Sequence, residues 1–387
     1  MTFLSASVAG AVGDARAAVS TRVAGQAVSV AYPNIALVKY WGKRDEELFL
    51  PVTGSLSMTL DVFATTTSVR LINGPADVVE FNGVAATGAA LARIETFLDL
   101  VRARAGRDER AMVVTANDGP TGAGLASSAS GFAALATAAA SAYELDLDPR
   151  ALSRLARRGS GSASRSIFGG FVVWHAGEGE GEAGDLSSYA EPIGGDELDP
   201  ALVLAVVNQR AKPVSSRVAM RRTTATSPFY RPWAESSVLD LAEMRKAVAR
   251  QDLPAIGEIA ERNALGMHAT MLTARPGIRY LSPHSIAILD AVLALRADAI
   301  MAYATIDAGP NVKVLCTRAD APQVSATLDG LGDFVSTRIA HIGPGASLTT
   351  SSEWPATDSA PSTTTSGASS PISGATLGAP RAAGGDR

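Results

Sequence analysis

The sequence has a single cysteine, Cys316, among its 387 residues. One thiol cannot form an internal disulfide, and no Cys and His residues stand at the spacing of a structural zinc site. The composition therefore excludes a secreted disulfide scaffold and a zinc-stabilised fold, and it predicts a cytoplasmic protein. Long apolar runs are also missing, because charge or glycine interrupts each candidate within about 18 residues, which argues against a membrane-spanning helix.

A strong net charge is absent as well. The 34 Lys and Arg residues nearly balance the 38 Asp and Glu residues, for a net charge of -4. No protein-wide field therefore attracts nucleic acid or an anionic membrane, and we predict neither as a partner. The signatures GxxxxGK[ST], GxGxxG, HExxH and GxSxG are also missing, which excludes the P-loop, Rossmann, zinc-protease and nucleophile-elbow types of site.

What the sequence does contain is enough apolar material, 47% of residues, for two domains with real cores. Strand and helix patterns follow one another in irregular order, which predicts an α+β fold rather than a steady β-α-β alternation. We place an N-terminal domain at residues 27–195 and a C-terminal domain at 196–346. Residues 1–26 are predicted as a flexible leader, and the Ser/Thr/Ala/Gly/Pro-rich residues 347–387 as a disordered tail.

Individual elements follow from the two periodicities of apolar residues. The predicted strands are 27–32, 63–72, 112–116, 201–207 and 299–306. The predicted helices are 88–105, 127–145, 149–158, 237–251 and 283–297. The acidic segment GEGEGEAGD at 177–185 is predicted as a surface loop that leaves a strand.

A Gly- and Ser-rich loop enters an Ala-rich helix in PTGAGLASSASGFAALATAAASAY, residues 120–143. Small residues allow close approach of a ligand, and the helix N-terminus offers free N–H groups and positive potential, a combination that holds phosphate. A capped, tightly packed helix explains the same residues about equally well. The segment is therefore a candidate phosphate-binding loop.

Three further segments carry cations and hydroxyls suited to an anionic ligand. The first, PNIALVKYWGKRDEELFLP, contains Asn34, Lys39, Tyr40, Trp41 and Lys43, and its simpler interpretation is a solvated basic turn. The second, RRGSGSASRSIFGG, contains Ser160, Ser162 and Arg165, and its simpler interpretation is a Ser-rich helix-to-strand connection. The third, KPVSSR, contains Ser216 and Arg217, and its simpler interpretation is an ordinary Ser N-cap.

The segment ATIDAGPNVKV places Asp307 after an apolar strand, at a turn that leads into another strand. An acid held there could orient or deprotonate a hydroxyl, and a lysine such as Lys39 would keep it ionised. A turn-forming aspartate is the simpler alternative.

Together these five segments, in this order, resemble the GHMP kinase superfamily and, within it, the diphosphomevalonate decarboxylase family. The resemblance runs from about Val28 to Gly345. It implies an N-terminal domain like ribosomal protein S5 domain 2, a C-terminal ferredoxin-like domain, and an active site between them. It also implies a homodimer and the use of ATP with Mg²⁺ to convert mevalonate 5-diphosphate into isopentenyl diphosphate.

The resemblance further implies a role for each matched residue. Asp307 would orient or deprotonate the 3-hydroxyl, Lys39 would pair with Asp307, and Arg165 would hold the leaving carboxylate. The ATP phosphates would be held by Gly122, Gly124, Leu125, Ala126, Ser127 and Ser128. We predict no direct protein ligand for the metal. Asn34, Tyr40, Trp41, Lys43, Ser160, Ser162, Ser216 and Arg217 would surround the substrate and its diphosphate.

Two segments depart from the family pattern, PVTGSLSMTLD and NDGPTGAG, and both concern the detail of the nucleotide loop. The same fold also hosts decarboxylases of mevalonate 5-phosphate and kinases that stop at the 3-phosphate, so fold does not separate these activities. A ligand sensor without turnover is the alternative from another class.

Overall fold

The computed structural model describes residues 25–119, 127–207 and 214–349. Helices and strands are numbered in chain order. The strands are β1 (Gln26–Ala31), β2 (Asn34–Val38), β3 (Lys43–Asp45), β4 (Leu50–Pro51), β5 (Ser55–Thr59), β6 (Thr65–Ile72), β7 (Val78–Phe81), β8 (Val84–Ala85), β9 (Arg110–Asn117), β10 (Phe171–Trp174), β11 (Ala190–Pro192), β12 (Pro200–Val207), β13 (Ala302–Ile306), β14 (Val312–Thr317), β15 (Val335–His341) and β16 (Ser347–Leu348). The helices are α1 (Gly88–Ala105), α2 (Ser127–Ala142), α3 (Pro149–Gly159), α4 (Ala163–Ser166), α5 (Gly181–Ser187), α6 (Ser216–Thr226), α7 (Tyr230–Ala249), α8 (Leu253–Leu272), α9 (Pro283–Ala297) and α10 (Ala321–Asp329), with a 3₁₀ turn at Asp196–Leu198.

The first layer is a six-stranded sheet in the order β16-β1-β6-β9-β7-β8, antiparallel except for the parallel pair β7 and β9. Helix α2 packs directly on β1 and β6. Its alanines allow this close approach, which brings the Ser29 hydroxyl to within 2.5 Å of the Ala134 carbonyl oxygen. Helix α2 is thereby held against this sheet.

Two four-stranded sheets, β11-β10-β5-β2 and β13-β14-β12-β15, share one apolar core. Ile35 and Leu56 from the first sheet meet Leu204 from the second, and Met244 of α7 and Ile256 of α8 join them. The shared core brings the end of β2 to the end of β13. This meeting of strand ends sets the position of the site described below.

The predicted α+β class and the predicted strands agree with the structure to within a few residues. Helices α1 and α9 have the predicted bounds. Helix α7 begins at Tyr230, seven residues before the predicted start. Pro232 does not prevent this, because it lies in the first turn, where a residue without a backbone N–H loses no intrahelical hydrogen bond. Helix α8 was not predicted, although its buried residues recur at helical spacing, because its two glycines are weak helix formers.

Two expectations are corrected. The acidic segment at 177–185 is not simply a loop, because α5 begins at Gly181 and buries Asp185 against Arg154 and Arg157. The predicted disordered tail is wrong for its first residues, since Ser347 and Leu348 pair with β1 as β16, and the predicted flexible leader is wrong at Gln26, which begins β1. Residues 350–387 of the predicted tail and residues 1–24 of the predicted leader lie outside the described residues.

Candidate active site

A cleft of about 660 Å³ opens where the end of β2, the end of β13 and the beginnings of several helices meet. The predicted catalytic and substrate-binding side chains all line this cleft, together with Ser128 from the predicted phosphate loop. They are Asn34, Lys39, Tyr40, Trp41, Lys43, Ser128, Ser160, Ser162, Arg165, Ser216, Arg217 and Asp307. Folding thus brings together five sequence segments, and Lys39 and Asp307 alone are 268 residues apart along the chain.

An ion-pair cluster lies at the base of the cleft. Asp307 follows β13, and its Oδ1 accepts a hydrogen bond of 2.8 Å from the Nζ of Lys39, the residue after β2. Its Oδ2 accepts one of 2.9 Å from Lys313 Nζ, on β14. Lys39 Nζ also donates to the Ala36 carbonyl oxygen at 2.7 Å. Both lysines are buried, whereas the Asp307 side chain keeps 30% of its exposure, so the carboxylate is the member of the cluster that a ligand can reach.

The charges of this cluster follow from burial and from neighbours. Burial opposes ionisation of Asp307, but the ammonium groups of Lys313 and Lys39 outweigh it and hold the pKa of the carboxyl far below its usual range. Burial lowers the pKa of Lys39 to about 8, against the opposing attraction of Asp307. At neutral pH the site therefore contains a carboxylate and a mostly protonated Lys39 ammonium.

Arg165 lies in the short helix α4 and is held by β2 and β5. Its Nε donates to Ser57 Oγ at 2.9 Å and to Asn34 Oδ1 at 3.2 Å, and its Nη1 donates to Ser55 Oγ at 2.5 Å. Burial lowers the pKa of Arg165 to about 10, so the guanidinium stays charged. Among the described residues nothing accepts from its Nη2, which leaves this group for a ligand in the cleft.

Hydroxyls and cations line the wall beyond Arg165. Ser160 Oγ lies 3.5 Å from both Ser128 Oγ and Ser162 Oγ. Tyr40 packs edge-on against Trp174 with ring centroids 4.7 Å apart, and its hydroxyl is buried without a hydrogen-bond partner among the described residues. Lys43 lies 3.9 Å above the Phe49 ring and pairs with Glu46. This wall presents several donors to an anion.

Three helices begin at the cleft, α1 through Ala89 and Ala90, α2 through Ser128, and α6 through Ser216. The hydroxyl of Ser215 caps α6 by accepting from the Val218 N–H, so the simple N-cap interpretation is also correct here. Unpaired N–H groups and helix dipoles at such ends favour anions. The cleft is therefore suited to a highly charged anionic ligand in a protein of slight negative charge.

Gly42 explains how the aromatic part of the wall is packed. Its φ is +119°, a conformation that favours glycine, and a Cβ there would lie 1.8 Å from the hydroxyl oxygen of Tyr230. That hydroxyl donates to the Trp41 carbonyl oxygen at 3.0 Å. Trp41 is nearly buried, so it contributes to the apolar core under the cleft as well as to its lining.

Arg93 and Lys313 belong to the site but did not emerge from the sequence. Arg93, on α1, lines the cleft, donates to the Gly159 carbonyl oxygen at 2.8 Å and lies 4.4 Å from the Phe132 ring centroid. Burial, with a smaller repulsion from Arg217, lowers its pKa to about 10. No sequence pattern marks Arg93, because its helix reaches the cleft only through tertiary packing. Lys313 lies six residues after Asp307 in the same β-hairpin, and this position in the hairpin was the sequence signal that could have identified it.

The phosphate-loop residues Gly122, Gly124, Leu125 and Ala126 lie outside the described residues. Ser127 begins α2 as its first residue.

Within 25–119, 127–207 and 214–349, no group of three or more His, Cys, Asp or Glu could hold a metal ion. In the same ranges no helix has the length and apolar character needed to cross a membrane.

Comparison with known proteins identifies the family. Residues 31–190 match the model of the diphosphomevalonate decarboxylase-like N-terminal domain. Residues 202–357 match that of the mevalonate 5-diphosphate decarboxylase C-terminal domain.

Individual relatives agree with the family models. The chain is 36% identical to diphosphomevalonate decarboxylase mvd1 of Aspergillus fumigatus over 335 residues, 81% of this chain and 82% of that protein. Its structure resembles mevalonate diphosphate decarboxylase of Staphylococcus aureus with a TM-score of 0.80 at 40% identity, covering 84% of this chain and 98% of the other. A second structure, described as MDDEF in complex with MVAPP, AMPPCP and magnesium, gives a TM-score of 0.79 at 43% identity with the same coverage. With both domain models matched in order around one cleft, the chain belongs to the diphosphomevalonate decarboxylase family.

Proposed function

We propose that the protein converts mevalonate 5-diphosphate and ATP into isopentenyl diphosphate, ADP, phosphate and carbon dioxide. The observation that carries this proposal is the convergence of Asp307, Lys39 and Arg165 in one anion-binding cleft. A related structure, 43% identical and described as a complex with MVAPP, AMPPCP and magnesium, also supports the proposal. The enzyme is thus an ATP-dependent decarboxylase of the mevalonate pathway.

In the proposed reaction the tertiary 3-hydroxyl accepts the γ-phosphoryl group of ATP and gives up its proton. The C–O bond to this phosphate then breaks with its electron pair, and the C–C bond to the carboxylate supplies the electrons of the new double bond as carbon dioxide leaves. Asp307, the reachable carboxylate, orients or deprotonates the hydroxyl. Lys39 keeps Asp307 ionised.

Arg165 binds the substrate carboxylate through the guanidinium edge that has no partner among the described residues. Its other donors are already committed to Asn34, Ser55 and Ser57, so the orientation of the guanidinium is set before a ligand arrives. A pre-oriented donor stabilises developing charge without reorganisation.

The substrate diphosphate is assigned to the wall lined by hydroxyls and cations. This wall has more donors than a single phosphate needs, which favours the diphosphate over mevalonate 5-phosphate. Its assigned residues are Tyr40, Lys43, Ser160, Ser162, Ser216 and Arg217, with Asn34 and Trp41 beside them.

ATP is assigned to the N-terminus of α2, where Ser127 and Ser128 begin the helix, and to the glycine-rich segment before it. Of the carboxylates that line the cleft, Asp307 is paired with two lysines and Glu46 with Lys43. Mg²⁺ would therefore be held by phosphate oxygens and water, which is its common mode of binding in phosphoryl-transfer sites. When bound, it neutralises phosphate charge.

Three expectations remain part of the proposal. Division of the chain into domains at 27–195 and 196–346 is consistent with one family model ending at 190 and the next beginning at 202. A cytoplasmic location is supported by the single cysteine, Cys316, which is buried and free. Homodimerisation rests on the family alone.

A coupled assay of ADP and carbon dioxide tests the proposed function. Mevalonate 5-diphosphate, mevalonate 5-phosphate and mevalonate are each supplied with Mg-ATP. We expect equal amounts of ADP and carbon dioxide, with the diphosphate strongly preferred. ADP without carbon dioxide would indicate a 3-kinase, preference for the monophosphate would indicate a phosphomevalonate decarboxylase, and nucleotide binding without ADP production would indicate a sensor.

Replacement of Arg217 by alanine should mainly weaken substrate binding. Arg217 lines the cleft at the beginning of α6, away from the Asp307 cluster, so its loss removes a phosphate contact and spares the reacting atoms. One charged hydrogen bond contributes about 1.5–3 kcal/mol, which predicts a KM for the diphosphate about 10- to 150-fold higher with kcat nearly unchanged. Steady-state kinetics measures both, and an unchanged KM would remove Arg217 from the diphosphate site. Arg231→Ala, in an exposed part of α7, is the control.

A further inference from the structure

Asp307 is held by two lysines, and the mechanism described above uses only one of them. Lys313 Nζ donates to Asp307 Oδ2 at 2.9 Å and lies 3.4 Å from the Asn311 carbonyl oxygen. Lys313 is 1% exposed and does not line the cleft, so it contacts the back of the carboxylate and no ligand. Such a residue can affect the reaction only through Asp307.

We propose that Lys313 is a positioning residue that, together with Lys39, fixes the plane of the Asp307 carboxylate and keeps it ionised toward the substrate hydroxyl. This inference rests on the proposed function, because it concerns the hydroxyl that Asp307 contacts in that reaction. Lys313 itself touches no substrate and transfers no proton.

The geometry of the hairpin supports this role. In the antiparallel pair β13 and β14, Lys313 stands opposite Thr305, two residues before Asp307. Lys39 approaches Oδ1 from a different sheet, so the two oxygens are held from two independent elements. A carboxylate oxygen has two lone pairs, and one ammonium on each leaves one per oxygen for the cleft. A single lysine would leave the carboxylate free to turn about its χ2 angle.

Charge supports the same conclusion. The groups facing Asp307 are Lys39 beyond β2, Lys313 on β14, Arg165 on α4 and His268 on α8. Burial lowers the pKa of His268 to about 4, so it is neutral at pH 7 and leaves the three cations as the charged neighbours. Burial raises the pKa of Asp307, and the ammonium groups of Lys313 and Lys39 together lower it further than burial raises it. Without Lys313, one ammonium group fewer opposes the effect of burial on the pKa of Asp307.

The three cations and one carboxylate leave this part of the cleft with an excess of two positive charges. That excess suits a site which receives both a substrate carboxylate and a transferring phosphoryl group. Lys313 therefore offsets the negative charge of Asp307 without occupying space in the cleft.

The test is a double-mutant cycle between Lys313 and Asp307, using Lys313→Met, Asp307→Asn and the double variant. We expect Lys313→Met to lower kcat by about 10²-fold, the scale of a misplaced reacting group, with the KM values for both substrates changed less than about threefold. In the Asp307→Asn background the same change should lower kcat further by less than about threefold, because the group it positions is already gone.

Controls separate this effect from a general loss of structure. Lys246→Met, an exposed lysine of α7, is the matched control and should keep full activity. If Lys313→Met does not yield folded protein, Lys313→Gln places a neutral donor near Oδ2 and enters the same cycle.

The outcomes are distinct. Unchanged kcat in Lys313→Met, losses that multiply in the double variant, or an equal rise in both KM values would each overturn the positioning role. An unsubstituted enzyme that converts none of the three mevalonate compounds would instead contradict the proposed function itself.

Discussion

Asp307→Asn is expected to lower kcat by about 10²- to 10⁴-fold, while the affinity for ATP stays close to that of the unsubstituted enzyme. Asparagine has nearly the same shape, but it replaces one acceptor oxygen by an NH₂ group and carries no charge. The amide cannot accept from both Lys39 and Lys313, and it cannot serve as a base. Because the nucleotide is assigned to the α2 end of the cleft, the chemical step should suffer and ATP binding should not.

The measurement combines steady-state kinetics with titration of a fluorescent ATP analogue. Removal of the carboxylate also leaves two buried ammonium groups without their partner, which is destabilising. Thermal unfolding of each variant must therefore accompany the kinetics. Asp298→Asn, at an exposed position after α9, is the matched control and should behave as the unsubstituted enzyme. A variant with nearly full turnover would disprove the role of Asp307.

Arg165→Met is the second change with a large expected effect. Methionine keeps an unbranched, apolar side chain in a buried position but removes the guanidinium to which the proposed mechanism assigns the substrate carboxylate. Loss of a pre-oriented charge-stabilising donor typically lowers kcat by about 10²- to 10³-fold. Arg165→Lys should recover little, because an ammonium cannot reproduce the planar donor set that reaches Asn34, Ser55 and Ser57.

The ratio of carbon dioxide to ADP gives this prediction a sharper readout. If Arg165 holds the carboxylate for its departure, the variant should form ADP faster than carbon dioxide and release substrate phosphorylated at the 3-position. Equal, undiminished rates of both products would contradict the assignment. Arg231→Met on α7, where the arginine side chain is 90% exposed, is the control.

Much of the fold could be read from local patterns. Helices α1 and α9 were predicted with their observed bounds. Helix α1 buries Ile94, Phe97 and Val101 at helical spacing, and α9 begins at Pro283, a residue suited to the first turn of a helix.

Helix α8 could not be read in the same way. Gly257 and Gly266 weaken its pattern, yet a Cβ at either position would lie under 3 Å from Tyr303 or Trp233. Tertiary packing requires these glycines, and the local sequence shows no reason for them.

The site residues also divide into those that the sequence identified and those that it did not. Asn34, Lys39, Arg165 and Asp307 were predicted because each lies in a short segment with distinctive chemistry, and the resemblance gave each a role. Arg93 was missed because it lies in a helix of ordinary amphipathic sequence that reaches the cleft only through packing.

The sequence by itself determined the residue chemistry: an α+β chain with hydroxyls, glycines, cations and one strand-end aspartate in five recognisable segments. The pairing of Asp307 with Lys39 was implied by the resemblance, and only the tertiary structure decided that Lys313 holds the second carboxylate oxygen and that three helices begin at the same cleft. The physical reason is the distance along the chain over which each effect acts. Propensity and periodicity act over a few residues, whereas the electrostatics of a buried carboxylate depend on groups up to 268 residues away that the shared apolar core brings together.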